Sequence, residues 1–179
     1  TSDTEEIEFI LNNCEKLEAN GRCIAIIPIS SVLQSEGAGL ALKERLLRDH
    51  TLEAVMSMPE DLFHNSDVGV ITCAVVVTAH VPHPKGKKTW LGYWRDDGFI
   101  KVKGKGRIDA NNAWPTIRER WIDMFQNRTV DDKLAVMVNL KAEDEWCAEA
   151  YLKTDYSTLS ETDFEHALRN YMSFQISGG

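Results

Sequence analysis

The sequence predicts an α/β fold, and three observations carry that expectation. Apolar residues recur three and four apart in several stretches, the period of helices with one buried face. Short apolar runs rich in Val and Ile lie between them, as expected of strands in a covered sheet. Their order is helix, strand, helix, strand, strand, which builds a sheet with helices packed against it. The chain has 179 residues, 43% of them apolar, with 28 acidic and 20 basic side chains and a formal charge of -8. That is enough apolar material for a core and too little net charge for wholesale disorder.

Residues 5–20 place Ile7, Ile10, Leu11, Cys14 and Leu17 on one helical face, and Asn20-Gly21 supplies a left-handed stop. The run from Arg22 to Pro28 reads as a strand buried on both faces of a parallel sheet. Ser30 to Gly39 reads as a loop and Leu40 to Arg48 as a helix. Leu52 to Met58 alternates as a strand that Pro59 ends, and a loop from Glu60 to Asp67 leads to a central strand, Val70 to Thr78.

Past Pro82 and Pro84 a hairpin is expected from Thr89–Arg95 and Phe99–Lys103 around the Asp96-Asp97-Gly98 turn. Pro115 opens a helix to Gln126 with Ile117, Trp121, Met124 and Phe125 on one face. A strand at Leu134–Leu140 and helices at Glu143–Leu152 and Ser160–Ser173 complete the reading. A boundary near residue 108 divides it into 1–108 and a mostly helical 109–179.

The charge is unevenly spread. From Lys85 to Arg107 eight basic residues face only Asp96 and Asp97, a net +6 that leaves -14 on the other 156 residues. Such a stretch attracts polyanions, or it forms a solvated hairpin whose lysines block edge-to-edge pairing. The longest nearly uncharged apolar run, Val68 to Ala79, is 12 residues, short of the roughly 20 that span a bilayer. No charged-then-apolar leader opens the chain, so neither a membrane anchor nor a signal peptide is expected. Cys14, Cys23, Cys73 and Cys147 are scattered, with no CxxC pair, which fits a reduced, cytoplasmic protein.

Common catalytic signatures are missing: there is no GxGxxG, no phosphate-loop lysine, no HExxH and no GxSxG. His80 and His83 flank Pro82 without acidic or thiol neighbours, so no metal site is expected there. His64 is a lone loop histidine, and Gly37 and Gly39 lack the lysine that would complete a phosphate cradle. Glu143-Asp144-Glu145 suits the start of a helix.

The segments NGRCIAIIPISSVL, LKERLLRDHTLEAVMSMPEDLF and VGVITCAVVVT, in that order, resemble the second half of the catalytic domain of N6-adenine DNA methyltransferases. They are most similar to the modification subunits of type I restriction–modification systems and their single-chain relatives. DDGFIKVKGKGRID resembles the segment that follows, and the likeness is good through about residue 128. It implies a seven-stranded Rossmann-like sheet followed by a smaller α+β, mostly helical region. Cofactor strands would come first, then a Pro-Pro-aromatic loop, then the elements seen here. Val70 to Thr78 would be the antiparallel strand inserted beside its predecessor. Methyl transfer from the sulfonium of S-adenosylmethionine to the adenine amino nitrogen, on double-stranded DNA, would be the reaction of the whole protein. Specificity and restriction subunits would be its partners. The glycine-rich donor loop and the Pro-Pro-aromatic loop are both missing, so the chain reads as a fragment with no catalytic or donor-binding residues of its own, inactive alone.

By the same resemblance, Phe63 in PEDLFHNSD would stack on the adenine swung out of the duplex. Packing under the sheet edge is the alternative, and the sequence does not choose between Leu62 and Phe63 as the residue facing the pocket. Lys85, Lys87, Lys88, Lys101, Lys103, Lys105 and Arg107 would contact the DNA backbone. Trp90, Trp94 and Trp114 could stack on bases, whereas Trp121 reads as core. A competing reading makes the chain a docking module, its region from 109 onward binding a specificity subunit through Trp146, Tyr151, Tyr156, Phe164 and Tyr171. An unrelated nucleotide-binding Rossmann enzyme would need a glycine-rich strand–helix turn near the start.

Overall fold

A computed structural model describes residues 5–63 and 70–153. Its elements are α1 (Glu5–Cys14), β1 (Arg22–Pro28), α2 (Ser30–Leu33), α3 (Gly37–Asp49), β2 (Thr51–Ser57), β3 (Thr72–Thr78), β4 (Thr89–Tyr93), β5 (Ile100–Val102), β6 (Gly106–Ile108), α4 (Trp114–Asn127) and β7 (Ala135–Val138), with a 3-10 turn at Ala148–Ala150. Ser160 to Ser173 and His64 lie outside the described residues.

Five strands form one sheet in the order β1-β3-β2-β4-β7. β3 runs antiparallel to both neighbours, with Val75 opposite Ala25 on one side and Val55 on the other. It is thus inserted beside its predecessor, as expected, and β1 and β2 point the same way. β4 lies parallel to β2, with Leu91 beside Val55, and β7 closes the far side antiparallel to β4. β3 reads as continuous Val, Ala and Cys because both its faces are covered.

Two cores sandwich the sheet. On one face Ile7, Ile10, Leu11 and Cys14 of α1, with Leu46 of α3 and Trp146, pack on Ala25, Ile27, Val55, Val75 and Leu91. On the other, Met124 of α4 packs with Ala54, Met56, Ala74, Val76, Trp90 and Ala135. Alternation along β2 and β4 serves both cores, since successive side chains face opposite ways.

Several expectations change. The first helix ends at Cys14 rather than Asn20, although Asn20 does take the left-handed backbone, with φ 65°. The Ser30–Gly39 loop contains the short α2, and α3 begins at Gly37. β1 is not buried on both faces of a parallel sheet. Among the described residues it pairs only with β3, antiparallel, and its Ile24 and Ile26 are 62% and 54% exposed.

Thr89–Arg95 is no hairpin arm, because the buried Trp90 and Leu91 draw β4 into the main sheet. The true hairpin is β5–β6, whose turn contains the left-handed Gly104 and leads into the left-handed Gly106. Glu143–Leu152 is not a helix. The Asp144 carboxylate accepts the Lys141 N–H at 2.7 Å, and the Trp146 indole donates to the Lys141 carbonyl at 2.9 Å, which folds a turn and buries the tryptophan.

Candidate nucleic-acid interface

β1, β2 and β4 all end on the same edge of the molecule, the position where sheets of this type present their binding loops. The loop after β2, Pro59 to Phe63, leaves that end with the Leu62 N–H bonded to the Pro59 carbonyl at 3.3 Å. Phe63 is 41% exposed, whereas Leu62 is half-buried. An exposed aromatic ring on a tethered loop is a surface a base can stack on.

Two ion pairs tether this loop. The Arg95 guanidinium, just past β4, meets Glu60 Oε1 at 2.7 Å. Arg107 on β6 places Nε 2.7 Å from Asp61 Oδ1 and Nη2 2.7 and 2.8 Å from the two Asp97 oxygens. Its guanidinium also lies over the Phe99 ring at 5.1 Å. Asp97 is fixed in turn by accepting the Phe99 N–H at 3.1 Å. Sequence reasoning did not assign Glu60, Asp61, Arg95 or Asp97 to the site. A signal was there, since Asp96 and Asp97 are the two acids inside an otherwise basic stretch.

The basic stretch divides between two ends of the sheet. Lys101, Lys103 and Lys105 stand exposed on the β5–β6 hairpin, beyond the end where β4 stops and joined to the Phe63 loop through Arg107. Lys85, Lys87 and Lys88 precede β4, whose five residues set them back by about 13 Å of strand. Lys85 and Lys88 are exposed, while Lys87 pairs with Glu53 at 3.0 Å. Burial alone would raise the Glu53 carboxyl, but hydrogen bonds from Lys87 and Thr78 hold it below the usual range.

The tryptophans form a ladder between α4 and the sheet. Trp94 stacks on Trp121 with centroids 5.1 Å apart, Trp114 meets Trp121 edge-on at 5.7 Å, and Phe99 meets Trp114 at 5.9 Å. Trp121 is core, as expected, and Trp90 is fully buried with its indole bonded to the Thr129 carbonyl at 2.9 Å. Beside Tyr93 an open cleft of about 260 Å³ is lined by Lys133, Glu149, Leu152 and Lys153. Ser57 Oγ donates to Glu149 Oε2 at 2.6 Å at its edge.

The remaining sequence candidates have local roles. His80 Nε2 lies 2.9 Å from the Leu17 carbonyl, and His83 Nε2 lies 3.3 Å from that of Lys87. Among the described residues no group of three or more His, Cys, Asp or Glu side chains could hold a metal. A Cβ on Gly39 would meet the Gln34 side chain at 2.5 Å, so that glycine serves close packing at the start of α3. All four cysteines are free. No described helix is long and apolar enough to cross a membrane.

The sequence profile of the N-6 DNA Methylase family matches residues 1–176. The chain belongs to that family. The chain is 31% identical, over 98% of its length, to the type II restriction enzyme and methyltransferase RM.BcgI of Heyndrickxia coagulans, of which it spans 27%. The methyltransferase subunit of a type I restriction–modification system from Streptococcus thermophilus shares its fold, with TM-score 0.59 and 18% identity over 75% of this chain and 26% of that one. A modification subunit of a putative type I restriction enzyme from Vibrio vulnificus YJ016 does so with TM-score 0.58 and 16% identity, over 90% of this chain and 35% of that one. The described residues do not fit a methyl donor. β1 leads directly into Ile29 and α2 with no glycine-rich cradle, and among the described residues the outer edge of β1 has no partner strand.

Proposed function

We propose that this chain is the C-terminal part of an S-adenosylmethionine-dependent, adenine-N6 DNA methyltransferase of a restriction–modification system. It supplies half of the sheet, one wall of the target-base pocket and contacts to the DNA backbone. Donor binding and the methyl-transfer step belong to the rest of the protein, and the chain alone is inactive. Specificity and restriction subunits are its assembly partners. The chain divides near residue 108, with α4 beyond it packing on the sheet and β7 joining the sheet as its last strand.

One observation carries the reading: the exposed Phe63 and the lysine hairpin stand at the same end of the sheet and are joined by the Asp61–Arg107 contact. Flipping an adenine costs a few kcal/mol of lost stacking and pairing, which the ring of Phe63 partly offsets. Base–aromatic stacking contributes about 1–3 kcal/mol per base. Lys101, Lys103 and Lys105 hold phosphates of the duplex by charge, without reading sequence. The guanidinium of Arg107 is taken up by two carboxylates, so it enters as a strut rather than a phosphate contact.

The test is methyl transfer to adenine N6 by the full-length protein with S-adenosylmethionine, comparing wild type with Phe63→Ala at sub-saturating DNA. The expected result is a rate about five- to 150-fold lower in the variant, one base stack converted to a rate. Equal rates would remove Phe63 from the pocket.

A further inference from the structure

We propose that Arg107 is a positioning residue that couples backbone grip to base capture, an inference that rests on the roles given above to Phe63 and the hairpin lysines. Arg107 stands in β6 opposite Lys101 of β5, so it belongs to the strand pair that carries the lysines. Its side chain is only 12% exposed, and its guanidinium is engaged by Asp61 and Asp97. One edge of the guanidinium holds Asp97, the end of the connection from β4, at 2.7 and 2.8 Å. The Nε edge reaches Asp61, two residues before Phe63, at 2.7 Å. The Nε contact is an ion pair without hydrogen-bond alignment, since Nε has no aligned acceptor.

The two contacts differ in kind. Asp97 is 8% exposed at its side chain and fixed by the Phe99 N–H, so the Arg107–Asp97 pair is buried and belongs to the fold of the hairpin. Asp61 is 36% exposed and lies on the loop, so the Arg107–Asp61 pair is a tether added to that fold. A planar, five-donor guanidinium can serve two carboxylates from different sides, which a lysine ammonium on its flexible stem cannot reproduce in the same geometry. Beneath it Phe99 and Trp114 link the hairpin to α4 through edge-on aromatic contacts. The hairpin is therefore a stiff arm, and Asp61 is where that arm holds the Phe63 loop. When DNA docks on the lysines, the same arm sets where the ring stands.

Asp61→Asn in the full-length enzyme tests this, because it releases the tether and leaves Arg107–Asp97 in place. Expected are a DNA dissociation constant and a KM for DNA within about twofold of wild type, with kcat lower by about tenfold, part of one stacking contribution. Adding Phe63→Ala to Asp61→Asn should lower kcat by less than about twofold more, since coupled residues are not additive. Asp61→Glu should restore most of kcat. Should Asp61→Asn fail to fold by circular dichroism, Asp61→Ser serves as the second variant, since it too leaves Arg107–Asp97 in place, with the same split between KM and kcat expected. Wild-type kcat in the folded variant overturns the inference, and so does a rise in KM that matches the loss of rate. Those results leave the reading of Phe63 standing. A wild-type protein that transfers no methyl group to adenine would overturn both.

Discussion

Lys43 Nζ donates a 2.7 Å hydrogen bond to the main-chain carbonyl of Asp144, 101 residues further along the chain. A second bond, of 2.8 Å, goes to the Gln34 carbonyl, and the ammonium lies 4.6 Å from the centre of the Trp146 ring. The side chain is fully buried. Lys43 thus fastens the 141–148 segment to the loop between α2 and α3, and the Trp146 N–H adds a 3.2 Å bond to the Val32 carbonyl. Lys43→Met removes the donor and leaves two carbonyls without it. At about 1–3 kcal/mol for a buried group left unsatisfied, amide exchange in 141–148 should speed up roughly five- to 150-fold. Hydrogen exchange read by mass spectrometry checks this, and unchanged protection would reduce Lys43 to a passenger.

The same lysine sets a pH dependence. Burial pushes its pKa from 10.5 down to about 8, and Asp144, Glu145 and Glu143 restore only part of that fall. Between those two values the unfolded chain holds the proton and the folded one has lost it, so the Lys43 contribution to stability rises with pH across the window. Below about pH 8 the folded protein carries the full cost of the buried ammonium. Burial also pushes Cys14 and Cys73 up to about 12 and Cys147 to about 11, which works in the opposite direction above pH 9.0. Comparison with Lys43→Met cancels the cysteines. The stability of wild type relative to the variant should grow by roughly 3 kcal/mol from pH 8 to 10.5 in denaturation experiments. A constant difference would contradict the assignment.

Much of the sheet was legible because its strands are apolar in ways only strands tolerate. The run of β-branched residues in β3 announced a central strand, and the positions of Leu52, Ala54 and Met56 announced β2. The β4 segment was misread because Asp97-Gly98 is a good turn sequence with a competing use. Its glycine takes φ 78°, but Asp97 faces Arg107 and the chain turns away from β4 rather than back along it. What decides the matter is the burial of Trp90 against Met56, Met124 and Ala135, contacts made across sequence distances that no local pattern encodes. The 141–148 turn was missed for a similar reason. Glu143-Asp144-Glu145 suits a helix start, yet Asp144 caps Lys141 and Lys43 waits for its carbonyl.

At the site, Phe63 and the lysines came from the resemblance to adenine methyltransferases, whereas Arg107's two carboxylate partners came only from the folded chain. Charge counting treated Lys85 to Arg107 as one patch. Threading β4 through the sheet core divides that patch between opposite ends, which linear proximity cannot show.

Ile24 and Ile26 of β1 face the side of the sheet that α4 covers elsewhere, and both are more than half exposed. In the full-length protein this face should be covered by the rest of the sheet and its helices. Ile24→Asp with Ile26→Asp would then bury two unpaired carboxylates. Such burial costs several kcal/mol, so the full-length double variant should melt markedly lower or fail to accumulate. A melting temperature equal to wild type would show that the face stays in water.

The most direct test of the account compares the two lysine groups in DNA binding by the full-length protein. Each phosphate contact contributes about -0.9 to the slope of log K against log salt concentration on duplex DNA. Lys101→Ala, Lys103→Ala and Lys105→Ala together should flatten the slope by about 2–3, while Lys85→Ala with Lys88→Ala should leave it within about 0.5 of wild type. Equal flattening by both sets, or none by the hairpin set, would contradict the placement of DNA at the Phe63 end of the sheet.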